Sequence, residues 1–163
     1  MIRMLELDRN NGTSDEDDAL EHLIHLYGQD ILVSPGMQSE KGFRQHGKMS
    51  VYDHSLAVAR MCLRIAKHFS GEVDIRSLVR GALLHDYFLY DWHIPDESHK
   101  WHGVTHAGDA LKNAMRDFDL NEIEQDMIRK HMFPLNPVPP KYRESWILCI
   151  ADKICASKET IKR

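Results

Sequence analysis

A chain of 163 residues, 42% hydrophobic and 28% charged, has the composition of an ordinary globular protein and is long enough for one domain with a sizeable core. Its net charge is −4, and acids gather at Asp15, Glu16, Asp17 and Asp18. That leaves no basic face for a nucleic-acid backbone and argues against nucleic-acid partners, though not against a nucleotide. No apolar run approaches the ~20 residues of a membrane span, and the first twelve residues hold no signal-peptide hydrophobic region, so no membrane partner and a cytoplasmic location are expected.

Along the chain the hydrophobic period is helical. Ser14 with Asp17 reads as a capping box, opening a stripe of Leu20, Leu23, Ile24 and Tyr27 that should stop at Gly28. A loop over 34–47 follows. Val51, His54, Val58, Met61, Ile65 and Phe69 then share one face of a second helix, with His54 inside the stripe. Asp74 caps a third, in which Ile75, Val79, Ala82 and Asp86 form one face and Leu78, Ala82, His85 and Leu89 the adjoining one. His85 and Asp86 therefore both look inward.

Residues 91–103 are polar and contain Pro95, which reads as a loop, with His102 at the entry to a helix carrying Val104, Ala107, Leu111, Ala114 and Phe118. The stretch 91–100 is longer than a tight connection needs; Trp92, His93 and Lys100 make it a candidate lid or binding loop. Asn121 caps the next helix, where Leu120, Ile123, Met127 and His131 recur in steps of three or four. Four of the six prolines end it, and a last helix runs through an apolar stretch, 146–151, that Asp152 interrupts. With no useful strand alternation and no repeat, the expectation is an all-α fold.

Cys62, Cys149 and Cys155 form no C-x-x-C pair, so they read as reduced core residues. The eleven histidines are the compositional oddity. His22, His25 and His68 fall at polar positions and read as surface residues. Taken alone, His54 or His131 reads as a hydrogen-bonded core histidine. The aspartates change the balance, because an ionised carboxylate buried without a partner costs several kcal/mol and two of them lie on apolar faces. No Lys or Arg occurs in the stripes of His54, His85 and His131 to meet them. Four imidazoles and two carboxylates arriving from five helices make a nitrogen and oxygen set suited to a divalent transition metal.

The order His54, then His85 and Asp86, then Asp152 resembles the H…HD…D signature of the HD-domain metal-dependent phosphohydrolases, within "YDHSLAVA", "ALLHD" and "CIADKIC". The resemblance spans roughly 45–157 and implies a compact helical bundle, with one domain over 1–163 in which 1–45 form an N-terminal helix and loop and 46–157 the metal-binding core. It implies that His54, His85, Asp86 and Asp152 hold one ion. "WHGVTHA" and "IRKHMFP" resemble the places that hold a second ion, nominating His102 and His131, with Asp86 bridging. His106, one turn after His102, is the substitute. Iron or manganese leads, with magnesium, nickel, cobalt and zinc also compatible.

The activity so implied is hydrolysis of a soluble phosphate ester, a nucleotide first, by attack of a metal-bound water. Met132, Phe133 and Pro134 stand in place of the motifs of cyclic-di-GMP phosphodiesterases, and the Glu-Asp pair of guanosine-tetraphosphate hydrolases is replaced by Tyr87, Phe88, Leu89 and Tyr90. Asp86 is the central catalytic group, and His106 and Lys153 are the first candidates for the proton donor, before Asp91 and Lys48. Two further classes share the ligand set: a diiron oxygenase of the same fold, and a metal-loaded nucleotide-binding module. The oligomeric state is left open.

Overall fold

The computed structural model describes residues 13–91, 93, 96 and 102–161, with only the backbone of 102–104. Most of the 91–100 loop, including Trp92 and Lys100, and the side chain of His102 therefore lie outside the described residues. The chain is all-α: α1 (Thr13–Leu32), α2 (Pro35–Ser39), a 3-10 turn (Glu40–Gly42), α3 (Val51–Ala66), α4 (Ile75–Leu84), α5 (His102–Asp117), α6 (Glu122–Lys130) and α7 (Arg143–Ile161). Among the described residues the extended pairing is a single bridge between Arg44 and Ser50. Among the described residues no helix is long and apolar enough to cross a membrane.

Local chemistry starts most of these helices. Ser50 caps α3 by accepting from the Asp53 amide, and Asp74 caps α4 by accepting from the Ser77 amide. Asn121 and Glu124 make a full capping box at α6. The first helix does not stop at Gly28. A Cβ there would lie 2.4 Å from Leu83 Cδ1, so the glycine permits close approach of α1 to α4 and the helix continues to Leu32. The 34–47 segment is likewise more ordered than a loop: Ser34 caps α2 and Pro35 opens it, a start signal that the sequence does carry.

α3 packs on α4 and α7, α4 also meets α1 and α6, and α6 contacts α5 and α7. Leu63, Leu78, Leu83, Leu84, Met127, Ile147 and Leu148 fill the space between them. Each element bearing a chemistry-carrying side chain therefore has an apolar face on the shared core, which fixes its rotation about its axis. All three cysteines are free and buried, and His22, His25 and His68 are exposed, both as expected.

Candidate metal centre

His85 and His131 occupy equivalent places at the ends of α4 and α6, each the C-cap residue. A helix end leaves carbonyls without intrahelical donors. Each ring uses one: His85 Nδ1 donates to Ala82 O at 2.7 Å and His131 Nδ1 to Ile128 O at 2.8 Å. A neutral imidazole that donates from Nδ1 keeps its lone pair on Nε2. Both helix ends therefore turn Nε2 toward the same place. His54, in the first turns of α3, is held in the same sense, its Nδ1 lying 2.8 Å from both carboxylate oxygens of Glu159.

What these rings face is Asp86. Its Oδ2 lies 3.3 Å from His85 Nε2 and 3.7 Å from His54 Nε2, while Oδ1 lies 3.3 Å from His131 Nε2 and 3.4 Å from His106 Nε2. Asp152 Oδ1 is 3.0 Å from His54 Nε2 and 3.4 Å from His85 Nε2. Two groups share the Asp86 carboxylate: His54, His85, Asp86 and Asp152 offer atoms within 4.8 Å of one another, and so do Asp86, His106 and His131. His54, His85 and His131 are fully buried, and Asp152 is partly open.

The electrostatics follow from this packing. Burial opposes a charge on His54, but hydrogen bonds to Asp152 and Glu159 outweigh it and lift the ring to about 9. His85 is also raised, with Asp86 and Asp152 overcoming burial. His131 goes the other way, since burial dominates there. Burial pushes Asp86 and Asp152 up, but the facing imidazoles hold both well below the usual carboxylate range. Even so, His85 Nε2 and Asp86 Oδ1 make no hydrogen bond, a costly state for buried polar atoms. A cation in each group would satisfy both, since His85 Nε2 belongs to the first and Asp86 Oδ1 faces the second. The donor set of imidazole nitrogens and carboxylate oxygens fits a divalent transition metal.

The HD domain family model matches residues 51–157. The chain is an HD-domain protein. No curated protein and no solved structure matches it. HD domains form a superfamily of metal-dependent phosphohydrolases, and the cluster of His54, His85, Asp86 and Asp152 is consistent with the HD signature.

Residues expected at the centre of this HD domain fall into three sets. His54, His85, Asp86 and Asp152 are brought together, and His131 joins Asp86 from the other side. His106 stands beside His131, the two Nε2 atoms 3.0 Å apart, while the His102 side chain lies outside the described residues. Lys153 is turned to the carbonyls of His131 and Cys149, each at 3.4 Å, and to Cys149 Sγ at 3.1 Å. Asp91 accepts from the His93 amide at 3.0 Å, and Lys48 is exposed.

Three polar residues near the centre escape a reading by periodicity. Gln45 donates from Nε2 to Asp86 Oδ2 at 2.6 Å, from a turn in which its amide bonds Met49 O and His46 O accepts from the Met49 amide. The same turn brings the His46 ring edge-on to His54, centroids 5.7 Å apart. Glu159 and Glu40 are the others. A signal for the turn existed in Gly47, whose φ of +59° suits glycine, but nothing marked which neighbours it would bury. Beyond Asp86 the chain turns through Leu89, at φ +64°, and the Asn113 amide donates to the carbonyls of Tyr87 and Phe88, tying this turn to α5.

Proposed function

We propose that this HD-domain protein hydrolyses a soluble phosphate ester, with nucleotides the leading substrate class, at two divalent ions. His54, His85, Asp86 and Asp152 hold the first. Asp86, His131 and a histidine of α5 hold the second; His106 offers an atom within reach of both, and the family resemblance nominates His102, one turn earlier on the same helix. One arrangement carries the reading: three imidazoles have Nδ1 already occupied by an acceptor, and all three present Nε2 toward Asp86, whose Oδ1 is left without a hydrogen bond.

Ions bound there supply Lewis acidity to phosphoryl oxygens and lower the pKa of a coordinated water. The chain's own residues do the rest. Asp86 spans the two groups with its two oxygens, and the Gln45 amide fixes its plane through Oδ2. Asp86 and Asp152 only half neutralise two divalent ions, so the pocket stays positive within a chain of net charge −4 and attracts a phosphate. In this reading His106 is a ligand in place of the proton donor. Lys153 supports the His131 carbonyl, and donating a proton would require it to leave the three contacts it makes.

The test is metal analysis of the protein as purified, followed by a phosphate-release screen over nucleotides and sugar phosphates with added Mn²⁺ or Fe²⁺. Asp86→Ala should lose metal and phosphate release together while far-UV circular dichroism stays that of the parent. Full metal content in that variant would overturn the assignment. Oxygen uptake without phosphate release would favour the diiron oxygenase reading.

A further inference from the structure

The two groups are not electrically equivalent, and the difference lies behind the ligands. Asp152 and Glu159 are seven residues apart on α7, which is two helical turns, so both carboxylates project from one face. Together they clamp a single imidazole. Asp152 Oδ1 is 3.0 Å from His54 Nε2, and both Glu159 oxygens are 2.8 Å from His54 Nδ1. The Glu159 side chain is only 6% exposed, so water screens this contact little. At His85 and His131 the corresponding acceptor on Nδ1 is a neutral backbone carbonyl.

A carboxylate behind a ligating histidine fixes the tautomer that leaves Nε2 free and makes the ring a stronger donor. The first group thus has Asp152, the shared Asp86 and the anionic backing of Glu159. The second has the shared Asp86 and two imidazoles, and the Lys153 ammonium lies 3.4 Å from the His131 carbonyl. Negative charge is concentrated on one side and a positive charge stands near the other. Both features favour a cation at the first group.

Resting on the metal-centre reading above, we propose that Glu159 is a positioning residue for His54 that makes the first group the tighter of two unequal sites, so that ions load in a fixed order. The group of His54, His85, Asp86 and Asp152 fills first. The group of Asp86, His106 and His131 fills second and exchanges its ion more readily.

The experiment is titration of the metal-free full chain with Mn²⁺ alone, with free Mn²⁺ read by electron paramagnetic resonance. The parent should show two classes separated by about tenfold or more, and His131→Ala should remove only the weaker one. Glu159→Gln keeps the shape of the side chain and removes its charge. It should weaken the tight class about 10–100-fold, the usual effect of losing an outer partner of a metal ligand, and leave the weak class in place. Glu159→Asp keeps the charge on a shorter stem and should recover part of the loss. A merely structural contact would lower the urea midpoint of the metal-free protein and shift both classes alike. That outcome, or unchanged binding in Glu159→Gln, overturns the proposal while leaving the metal centre standing. A parent that binds no Mn²⁺ overturns both.

Discussion

Glu40, on the 3-10 turn, is fully buried, and neither of its carboxylate oxygens has a hydrogen-bond partner. Burial pushes it well above its ordinary value and the negative charge of Asp86 adds to this, with His85 opposing. The comparison with Asp86 and Asp152 shows what decides the state of a buried acid. Those two have imidazole nitrogens within ion-pair distance, whereas His85 acts on Glu40 only from farther away. A group whose folded-state pKa is raised stabilises fully below its unfolded value, about 4.3 for Glu, and loses that stability as pH rises through the shifted value. Glu40→Gln should therefore stabilise the metal-free protein by about 1–3 kcal/mol at pH 8, with little effect at pH 4, as urea unfolding at the two values will read. No rise at pH 8 would show that the carboxyl has a partner in solution. Neither glutamate was legible in the sequence. Glu40 sits among Ser39, Lys41 and Gly42, and Glu159 among Lys158, Thr160 and Lys162; both segments look solvated because their burial depends on partners distant along the chain.

Elements with a strong apolar stripe and a cap were legible: Asp74 and Asn121 mark the starts of α4 and α6 through side-chain bonds to the backbone nearby. The continuation of α1 past Gly28 was not, because a glycine that ends a helix and one that admits a neighbour look alike until the neighbour is known. Gly81 repeats the lesson where α4 meets α6. A Cβ there would lie 2.5 Å from Met127 Sδ and 3.1 Å from Met127 Cβ. Alanine is the better helix former by about 1 kcal/mol, but overpacking costs about 1–3 kcal/mol, and Met127 has to move at its Cβ as well as at its flexible end. Gly81→Ala should therefore destabilise by about 1 kcal/mol. Because α6 carries His131, its displacement should also weaken the second metal class more than the first. Denaturant midpoints and Mn²⁺ titration check the two parts separately, and a stabilised variant would mean that Met127 relaxes freely.

For the whole molecule, the metal-free centre is a store of protons. His54 is lifted to about 9 by Asp152 and Glu159 against burial, and His85 is raised as well. With an unfolded value near 6.5, the stability from His54 is complete below about pH 6.5 and fades as pH rises through 9. Ligation requires the neutral ring, so ion entry at pH 7 should expel protons and apparent metal affinity should climb between pH 7 and 9. Calorimetry in buffers of different ionisation enthalpy measures that release, and identical binding heats in every buffer would contradict it. The clamp on His54 also has a kinetic side. His54 and Glu159 are 105 residues apart, so their contact closes a loop that no single helix or hairpin can form by itself. Helices and their caps arise from neighbours, whereas contacts this distant along the chain must wait for the intervening elements to find their places. A partly folded chain therefore offers an ion only scattered imidazoles that release it again, and lasting capture records that the topology has been completed.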